Sequence, residues 1–185
     1  KPIIVGGDTQ RGVVSSCSYE ARKFGVTSAM SIQKAKKLCP EAIIVFSGFG
    51  LYSKYSTMVT EIIRESVPVF EKSSIDEFYI DLTGTDKFFG AYNIASNLRQ
   101  RIISETGLPI SFGFSTNKTV SKIATGEAKP NNQLKIEPGK EKEFLAPLKI
   151  EKIPFLGAKA SESLHKMGVF FIKDIQRMKQ ETIED

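Results

Sequence analysis

Two adjacent carboxylates lie near the middle of the sequence, in Ser74-Ile75-Asp76-Glu77, between two apolar segments. Neighbouring side chains on a strand point to opposite faces, but a hairpin tip relaxes that rule and lets both acids converge. Two hard carboxylates suit Mg²⁺, which keeps water and substrate phosphates as its other ligands. A pair of such ions can activate an attacking hydroxyl and stabilise a leaving pyrophosphate. The alternative is a solvated acidic turn without a metal.

A second segment combines hydroxyl groups with a cation. Serines precede a predicted helix in which Tyr19 and Arg22 are three residues apart and therefore share a face. Hydroxyls, free helix N–H groups and a guanidinium together form an anion site that suits a triphosphate. The alternative is a serine N-cap beside a surface arginine.

A third segment, residues 117–128, predicts an amphipathic helix. Lys118 and Lys122 lie on its basic face, and Lys129 joins them if the helix extends that far. Such a row of ammonium groups favours nucleotide phosphates or a DNA backbone. A solvated lysine face on an ordinary amphipathic helix has the same pattern.

A fourth segment, Ile153-Pro154-Phe155-Leu156-Gly157, is followed by a predicted helix over 158–167 and by Gly168. A short helix, a tight turn and a second helix form a helix-hairpin-helix, which can direct backbone N–H groups at a DNA phosphate without reading sequence. A plain αα-hairpin has the same turn residues and remains the alternative.

The elements that must position these groups follow from hydrophobic periodicity. Before residue 49 we predict strands at 2–6, 12–17 and 43–46 and helices at 19–24 and 31–38. After it we predict helices at 50–66, 88–105 and 117–128 and strands at 69–74, 77–82 and 110–114. The inner faces of the first two of these helices are predicted to hold Tyr52, Tyr55, Val59, Ile62 and Ile63, and Phe88, Tyr92, Ala95, Leu98 and Ile102.

The order from residue 50 to residue 114 is α-β-β-α-β, which one more strand at the front would complete as a ferredoxin-like βαββαβ motif. We expect that strand to precede Lys1, because the chain begins directly in an apolar run. The composition changes near residue 137, where Lys and Glu become frequent, and we place a domain boundary there. The pattern indicates an α+β fold.

Composition narrows the class of protein. The 185 residues carry 26 Lys and Arg against 21 Asp and Glu, with a pI near 9.1, which favours an anionic partner such as nucleic acid. No apolar run approaches the roughly 20 residues that span a bilayer. Two cysteines outside any CxxC pattern and a single histidine predict no zinc site, and they fit a reducing cytoplasm.

Taken in order, residues 11–26, 74–77 with 81–83, and 117–124 with 129–131 resemble the motifs of the Y-family (translesion) DNA polymerases, in particular their bacterial DNA polymerase IV branch. The resemblance implies fingers at 1–48, a ferredoxin-like palm at 49–136 without its first strand, and a helical thumb at 137–185 that contains the helix-hairpin-helix. The family's little-finger domain would be absent.

The resemblance also implies roles. The reaction would be nucleotidyl transfer from a dNTP to a primer 3′-hydroxyl, past damaged template bases, with Asp76 and Glu77 as catalytic ligands of two Mg²⁺ ions. Partners would be primer–template DNA and, through regions outside this sequence, a sliding clamp, in the cytoplasm and not at a membrane. The remaining implied contacts are Ser16, Tyr19, Arg22 and Lys129 with the triphosphate, Val13 and Ser15 with the nascent base pair, and Lys118, Lys122, Gly157 and Lys159 with DNA.

Besides the absent little-finger domain, two further departures from the family pattern matter. The opening strand with the first metal-binding aspartate is missing, so we expect the fragment itself to be inactive. Phe155 stands where the family usually has glycine in the hairpin, and its bulk opposes the close approach of this backbone to a DNA phosphate. Two other functions share part of the pattern: a palm-type nucleotidyl cyclase and a non-catalytic DNA-binding relative.

Overall fold

The computed structural model describes residues 1–7, 12–46, 48–85 and 90–179. Arg11, at the start of the first motif, and Phe88, a predicted core residue, lie outside the described residues. The chain forms two compact units, Lys1–Lys54 and Tyr55–Asp185. The domain limits 1–48, 49–136 and 137–185 remain predictions. Over the described residues, no helix combines the length and the apolar character that crossing a bilayer requires.

The first unit is a three-stranded sheet with two short helices. Strands β1 (Ile3–Gly6), β2 (Val14–Cys17) and β3 (Ile43–Val45) are ordered β2-β1-β3, with β1 antiparallel to β2 and parallel to β3. Helices α1 (Tyr19–Lys23) and α2 (Ile32–Leu38) join them. The buried core consists of Ile4, Val14, Cys17, Ala21, Val26, Ile32, Ala35 and Cys39.

Local sequence explains how these elements begin and pack. The hydroxyls of Ser18 and Ser31 accept hydrogen bonds from Ala21 N and Lys34 N and so cap α1 and α2. Gly6 lets two chain segments approach, because a Cβ there would lie 2.5 Å from the carbonyl oxygen of Val13. Both cysteines of the chain are buried in this unit.

The second unit begins within helix α3 (Phe49–Ser66). There follow strands β4 (Phe70–Lys72) and β5 (Phe78–Ile80), helix α4 (Ala91–Thr106), strand β6 (Phe112–Phe114), helix α5 (Lys118–Ala128) and strand β7 (Gln133–Lys135). The predicted α-β-β-α-β order is confirmed. Strands β4 and β5 form an antiparallel hairpin, and β6 pairs with β7 in parallel. Neither β7 nor this parallel pair is predicted by the sequence pattern.

The core of this part lies between α3, α4 and the β4–β5 hairpin. Its buried members are Ile62, Ile63, Val67, Leu82, Ala91, Leu98 and Ile102. The predicted inner face of α3 is wrong at its start, because Tyr52 and Tyr55 are exposed while Ser56 and Thr60 are buried. Both hydroxyls tolerate burial, because each makes a hydrogen bond to a nearby carbonyl oxygen.

Helix α5 lies directly against strand β6. A Cβ on Gly113 would meet the carbonyl oxygen of Ser121 at 2.3 Å and the backbone nitrogen of Thr125 at 2.6 Å. The hydroxyl of Thr125 accepts a hydrogen bond from Gly113 N at 2.7 Å. Only glycine permits this approach, which sets the distance between α5 and the sheet.

The remainder of the second unit is helical. It contains α6 (Glu141–Leu145), a 3₁₀ turn at Ile150–Lys152, α7 (Ala158–Lys166) and α8 (Ile172–Gln176). The turn before α7 carries Phe155 at φ +67°, a backbone region that favours glycine, with a side chain that is 98% exposed. The arrangement is the predicted helix-hairpin-helix, and Lys152 contacts Glu127 of α5 at 2.7 Å.

Candidate functional site

The two acids lie in a tight turn at the tip of the β4–β5 hairpin, here called the acid turn, residues 73–77. The backbone nitrogens of Ser73 and Ser74 donate to the carbonyl oxygen of Glu77 at 3.0 and 3.2 Å. The hydroxyl of Ser74 donates to Asp76 Oδ1 at 2.8 Å. Asp76 and Glu77 are both exposed. The turn therefore presents two neighbouring carboxylates to solvent, and their convergence on a metal ion remains a prediction.

Helix α3 holds the acid turn through side chains that the sequence pattern did not single out. Ser56 Oγ donates to the carbonyl oxygen of Ile75 at 2.5 Å, next to Asp76. Lys72 Nζ donates to Ser56 Oγ at 2.7 Å and to Thr60 Oγ1 at 3.0 Å. The sequence did contain a signal for these contacts. Two hydroxyl residues lie four apart on the inner face of an amphipathic helix, and a buried polar group there needs a hydrogen-bond partner.

The lysines of α5 face the hairpin. Lys122 Nζ lies 2.7 Å from Glu77 Oε2, and Lys118 Nζ contacts Glu71. The hydrogen bond to Glu77 raises the pKa of Lys122, and the nearby Asp76 charge adds to that effect. Both ammonium groups are thus paired with carboxylates in this structure, and their assignment to DNA remains a prediction.

Lys129 does not share the face of Lys118 and Lys122. Helix α5 ends at Ala128, and Lys129 adopts an extended conformation with φ −66° and ψ 144°. The following loop is held by the buried Arg99, whose Nη2 donates to the carbonyl and side-chain oxygens of Asn131, both at 2.7 Å. The condition for a single basic face, a helix that extends past Ala128, is therefore not met.

The donor set fits a hydrated divalent ion. Two exposed carboxylates are the ligands that Mg²⁺ takes together with water and phosphate oxygens. An ammonium group already lies against Glu77, so the turn holds a cation in this structure. Within the described ranges, no three His, Cys, Asp or Glu side chains gather into a group that could hold a metal ion.

Asp81, the next acid in the hairpin, has a local partner. Its Oδ1 accepts a hydrogen bond from Thr83 N at 2.9 Å, and bonds from Thr83 lower the pKa of Asp81. This hydrogen bond gives Asp81 a structural role in the turn that follows β5.

The predicted anion site of the first unit has the predicted arginine, but the N-terminus of α1 does not contribute to it. The guanidinium of Arg22 lies 5.7 Å from the centre of the Tyr19 ring, as the three-residue spacing predicts. Helix α1 has only five residues, and the Ser18 hydroxyl caps it. The exposed candidates are therefore the side chains of Ser16, Tyr19 and Arg22, because the short capped helix offers no anion site of its own.

The other candidate residues are at the surface of their units. Val13 is 53% exposed and Ser15 is exposed on β2. Gly157 is the N-cap residue of α7, and Lys159 is exposed one residue after the helix begins. Their contacts with a base pair or with DNA remain predictions.

Two family models match the chain. Residues 1–126 match the impB/mucB/samB family, and residues 138–169 match the helix-hairpin-helix motif of the same family. The second match spans the turn that carries Phe155 and helix α7.

Relatives named DNA polymerase IV align over nearly the whole chain. The protein of Dehalococcoides mccartyi is 42% identical over 171 residues, which cover 91% of this chain and 44% of that protein. The protein of Treponema denticola is 41% identical over 176 residues, covering 95% of this chain and 45% of that protein. The chain thus spans less than half the length of these two relatives.

Solved structures agree with the sequence matches. The crystal structure of DinB from Sulfolobus solfataricus matches all of this chain and 55% of its own, with a TM-score of 0.90 and 30% identity. An insertion ternary complex of Dbh DNA polymerase matches over the same shares with a TM-score of 0.88 and 29% identity. From its motifs, its fold and these matches together, the chain belongs to the impB/mucB/samB family, that of the Y-family DNA polymerases.

Proposed function

We propose that this chain is part of a DNA polymerase that copies damaged templates by transferring a nucleotide from a dNTP to a primer 3′-hydroxyl. The observation that carries the proposal is the acid turn: in a member of this family, Asp76 and Glu77 stand exposed at a hairpin tip that Ser56 holds in place. Relatives named DNA polymerase IV and neighbours solved as ternary and binary complexes support the same reaction.

Within the second unit, Asp76 and Glu77 would hold two Mg²⁺ ions, which when bound supply the positive charge that activates the hydroxyl and stabilises the leaving pyrophosphate. Lys129 would bind a phosphate of the dNTP. Its loop suits that role because Arg99 fixes the neighbouring Asn131 and leaves Lys129 exposed.

Within the first unit, Arg22 and Tyr19 would bind the triphosphate, with Ser16 donating a further hydrogen bond. The Arg22 guanidinium is exposed, and the contacts it makes are to the Tyr19 ring and to the carbonyl oxygen of Cys17, so its charge is available to an anion. Val13 and Ser15 would lie over the nascent base pair, where short side chains leave room for a damaged base.

The side chains and backbone proposed to contact DNA would bind its phosphates, which does not require them to recognise a base sequence. Lys118 and Lys122 on α5 and Lys159 at the start of α7 would meet phosphates, whose binding weakens steeply as salt rises. Gly157 would bring the backbone of the hairpin turn close to the same strand.

The test uses a chimera, since the chain spans less than half the length of the Dehalococcoides mccartyi and Treponema denticola relatives. This chain replaces the matching 176 residues of the Treponema denticola DNA polymerase IV. Primer extension with Mg²⁺ is expected, and Asp76→Asn or Glu77→Gln should each lower its rate by roughly a hundredfold or more. Glu71→Gln, on the same hairpin, is the control that removes an acid outside the turn.

Undiminished extension by the Asp76→Asn chimera would show that the acid turn is not the metal site. Cyclic nucleotide formed without any template would favour a nucleotidyl cyclase. DNA binding without extension, in a chimera that folds, would favour a non-catalytic relative.

A further inference from the structure

One cation of the chain lies inside the proposed metal site. Lys122 Nζ is 2.7 Å from Glu77 Oε2, and the charge of Asp76 also acts on it. The Lys122 side chain is only 31% exposed, although it extends from the surface of α5. An ammonium group thus neutralises part of the charge that would otherwise attract a divalent ion.

The same ammonium group has a second neighbour. The ring of Phe155 lies 5.7 Å from Lys122 Nζ, in the turn before α7. Aromatic rings attract ammonium groups over such distances, more weakly than a carboxylate does at hydrogen-bond distance. Lys122 therefore has a ring within reach when it leaves Glu77.

We propose that Lys122 is the resident counter-cation of the acid turn, and that a divalent ion must displace it from Glu77 in order to bind. The inference rests on the proposed function, because it takes Asp76 and Glu77 as the metal ligands. It gives Lys122 a role beside the carboxylates that precedes any contact with DNA.

Competition follows from elementary electrostatics. A divalent ion at Glu77 must break the ion pair and then tolerate a positive charge nearby. Repulsion between an ammonium group and a divalent ion about 4 Å away in water lowers the metal affinity by more than tenfold before salt screens it. Because salt screens part of this repulsion, removing the charge of Lys122 should tighten metal binding by about fivefold. The gain should shrink at high ionic strength for the same reason.

The experiment titrates the 185-residue chain with Mn²⁺ and measures free Mn²⁺ by electron paramagnetic resonance. Line broadening in ¹⁵N NMR spectra identifies binding at the acid turn. The variants are Lys122→Met, which removes the charge, and Lys122→Arg, which keeps it. Lys118→Met is the matched control, one helical turn earlier and paired with Glu71.

We expect about fivefold tighter Mn²⁺ binding for Lys122→Met and less than a twofold change for Lys122→Arg and Lys118→Met. Equal or weaker binding by Lys122→Met, with broadening that disappears in Asp76→Asn, overturns the counter-cation role and leaves the metal site intact. Mn²⁺ binding that does not depend on Asp76 in any variant overturns the metal site and the inference together.

A fluorescent reporter tests the displacement directly. The chain contains no tryptophan, so Phe155→Trp places a single indole beside the ammonium group. Mg²⁺, which is diamagnetic and does not quench indole directly, should change its emission in this variant, and the change should vanish when Lys122→Met is added. An identical response in both variants would show that Lys122 does not move when the metal binds.

Discussion

Replacing Gly113 with alanine tests how α5 is held against the sheet. The new Cβ would lie 2.3 Å from Ser121 O and 2.6 Å from Thr125 N, which are backbone atoms of a helix and cannot rotate away. Helix α5 must therefore withdraw by about 1 Å to restore normal van der Waals contact. That shift would also stretch the hydrogen bond from Gly113 N to the Thr125 hydroxyl.

The expected cost combines two effects. Overpacking of this kind costs about 2 kcal/mol, and the stretched hydrogen bond about 1 kcal/mol more. A loss of about 3 kcal/mol corresponds to a fall in Tm of roughly 6–12 °C for a chain of this size. Lys122 should also move relative to Glu77, since it lies on the displaced helix.

Urea unfolding followed by circular dichroism measures the loss. Gly126→Ala is the control in the same helix, because a Cβ there meets nothing within 4 Å and should stabilise the chain by about 0.5–1 kcal/mol. If Gly113→Ala unfolds within about 0.5 kcal/mol of the unchanged chain, the close approach does not constrain the helix and the reasoning is refuted.

Three further changes test other parts of the second unit. Ser56→Ala removes the hydrogen bond to the acid turn and should lower the free energy of unfolding by about 2 kcal/mol. It should also shift the NMR amide signals of residues 73–77, whereas Ser66→Ala on the same helix should leave those signals in place. Arg99→Met leaves both oxygens of Asn131 without their donor and should cost about 3 kcal/mol in urea unfolding. Asp174, whose pKa is lowered by backbone N–H groups of the α8 N-terminus, stabilises the folded chain above its unfolded pKa and loses that effect as pH falls through the folded value. Between about pH 5 and pH 3, unfolding should therefore show a steeper loss of stability for the unchanged chain than for Asp174→Asn.

Much of the fold follows from short-range patterns. The order of strands and helices through residue 128 was predictable because each has a clear period and clear stop residues. Strand β7 was missed since three residues after a Pro-Asn-Asn turn carry too little pattern, and only its pairing with β6 defines it. The prediction that Lys129 shares the basic face of α5 was wrong, because Lys129 precedes a proline and such a residue disfavours helical geometry.

The residue types of the candidate site could be predicted from the sequence, but the side chains that hold its acids in place could not. Asp76 and Glu77 stand out because two acids separate two apolar strands. Ser56 contacts a carbonyl 19 residues away, and the pairing of Lys122 with Glu77 joins residues 45 apart in sequence. Such contacts depend on tertiary packing, which no local pattern contains.

The burial of both cysteines gives the first unit its own chemical reporter. Cys17 is 8% exposed and Cys39 is 1% exposed, and the Cys17 thiol donates to the carbonyl oxygen of Val26. The rest of the chain contains no other thiol. The rate at which a thiol reagent such as Ellman's disulfide reacts therefore measures how often the parts of residues 1–54 that cover these two thiols open.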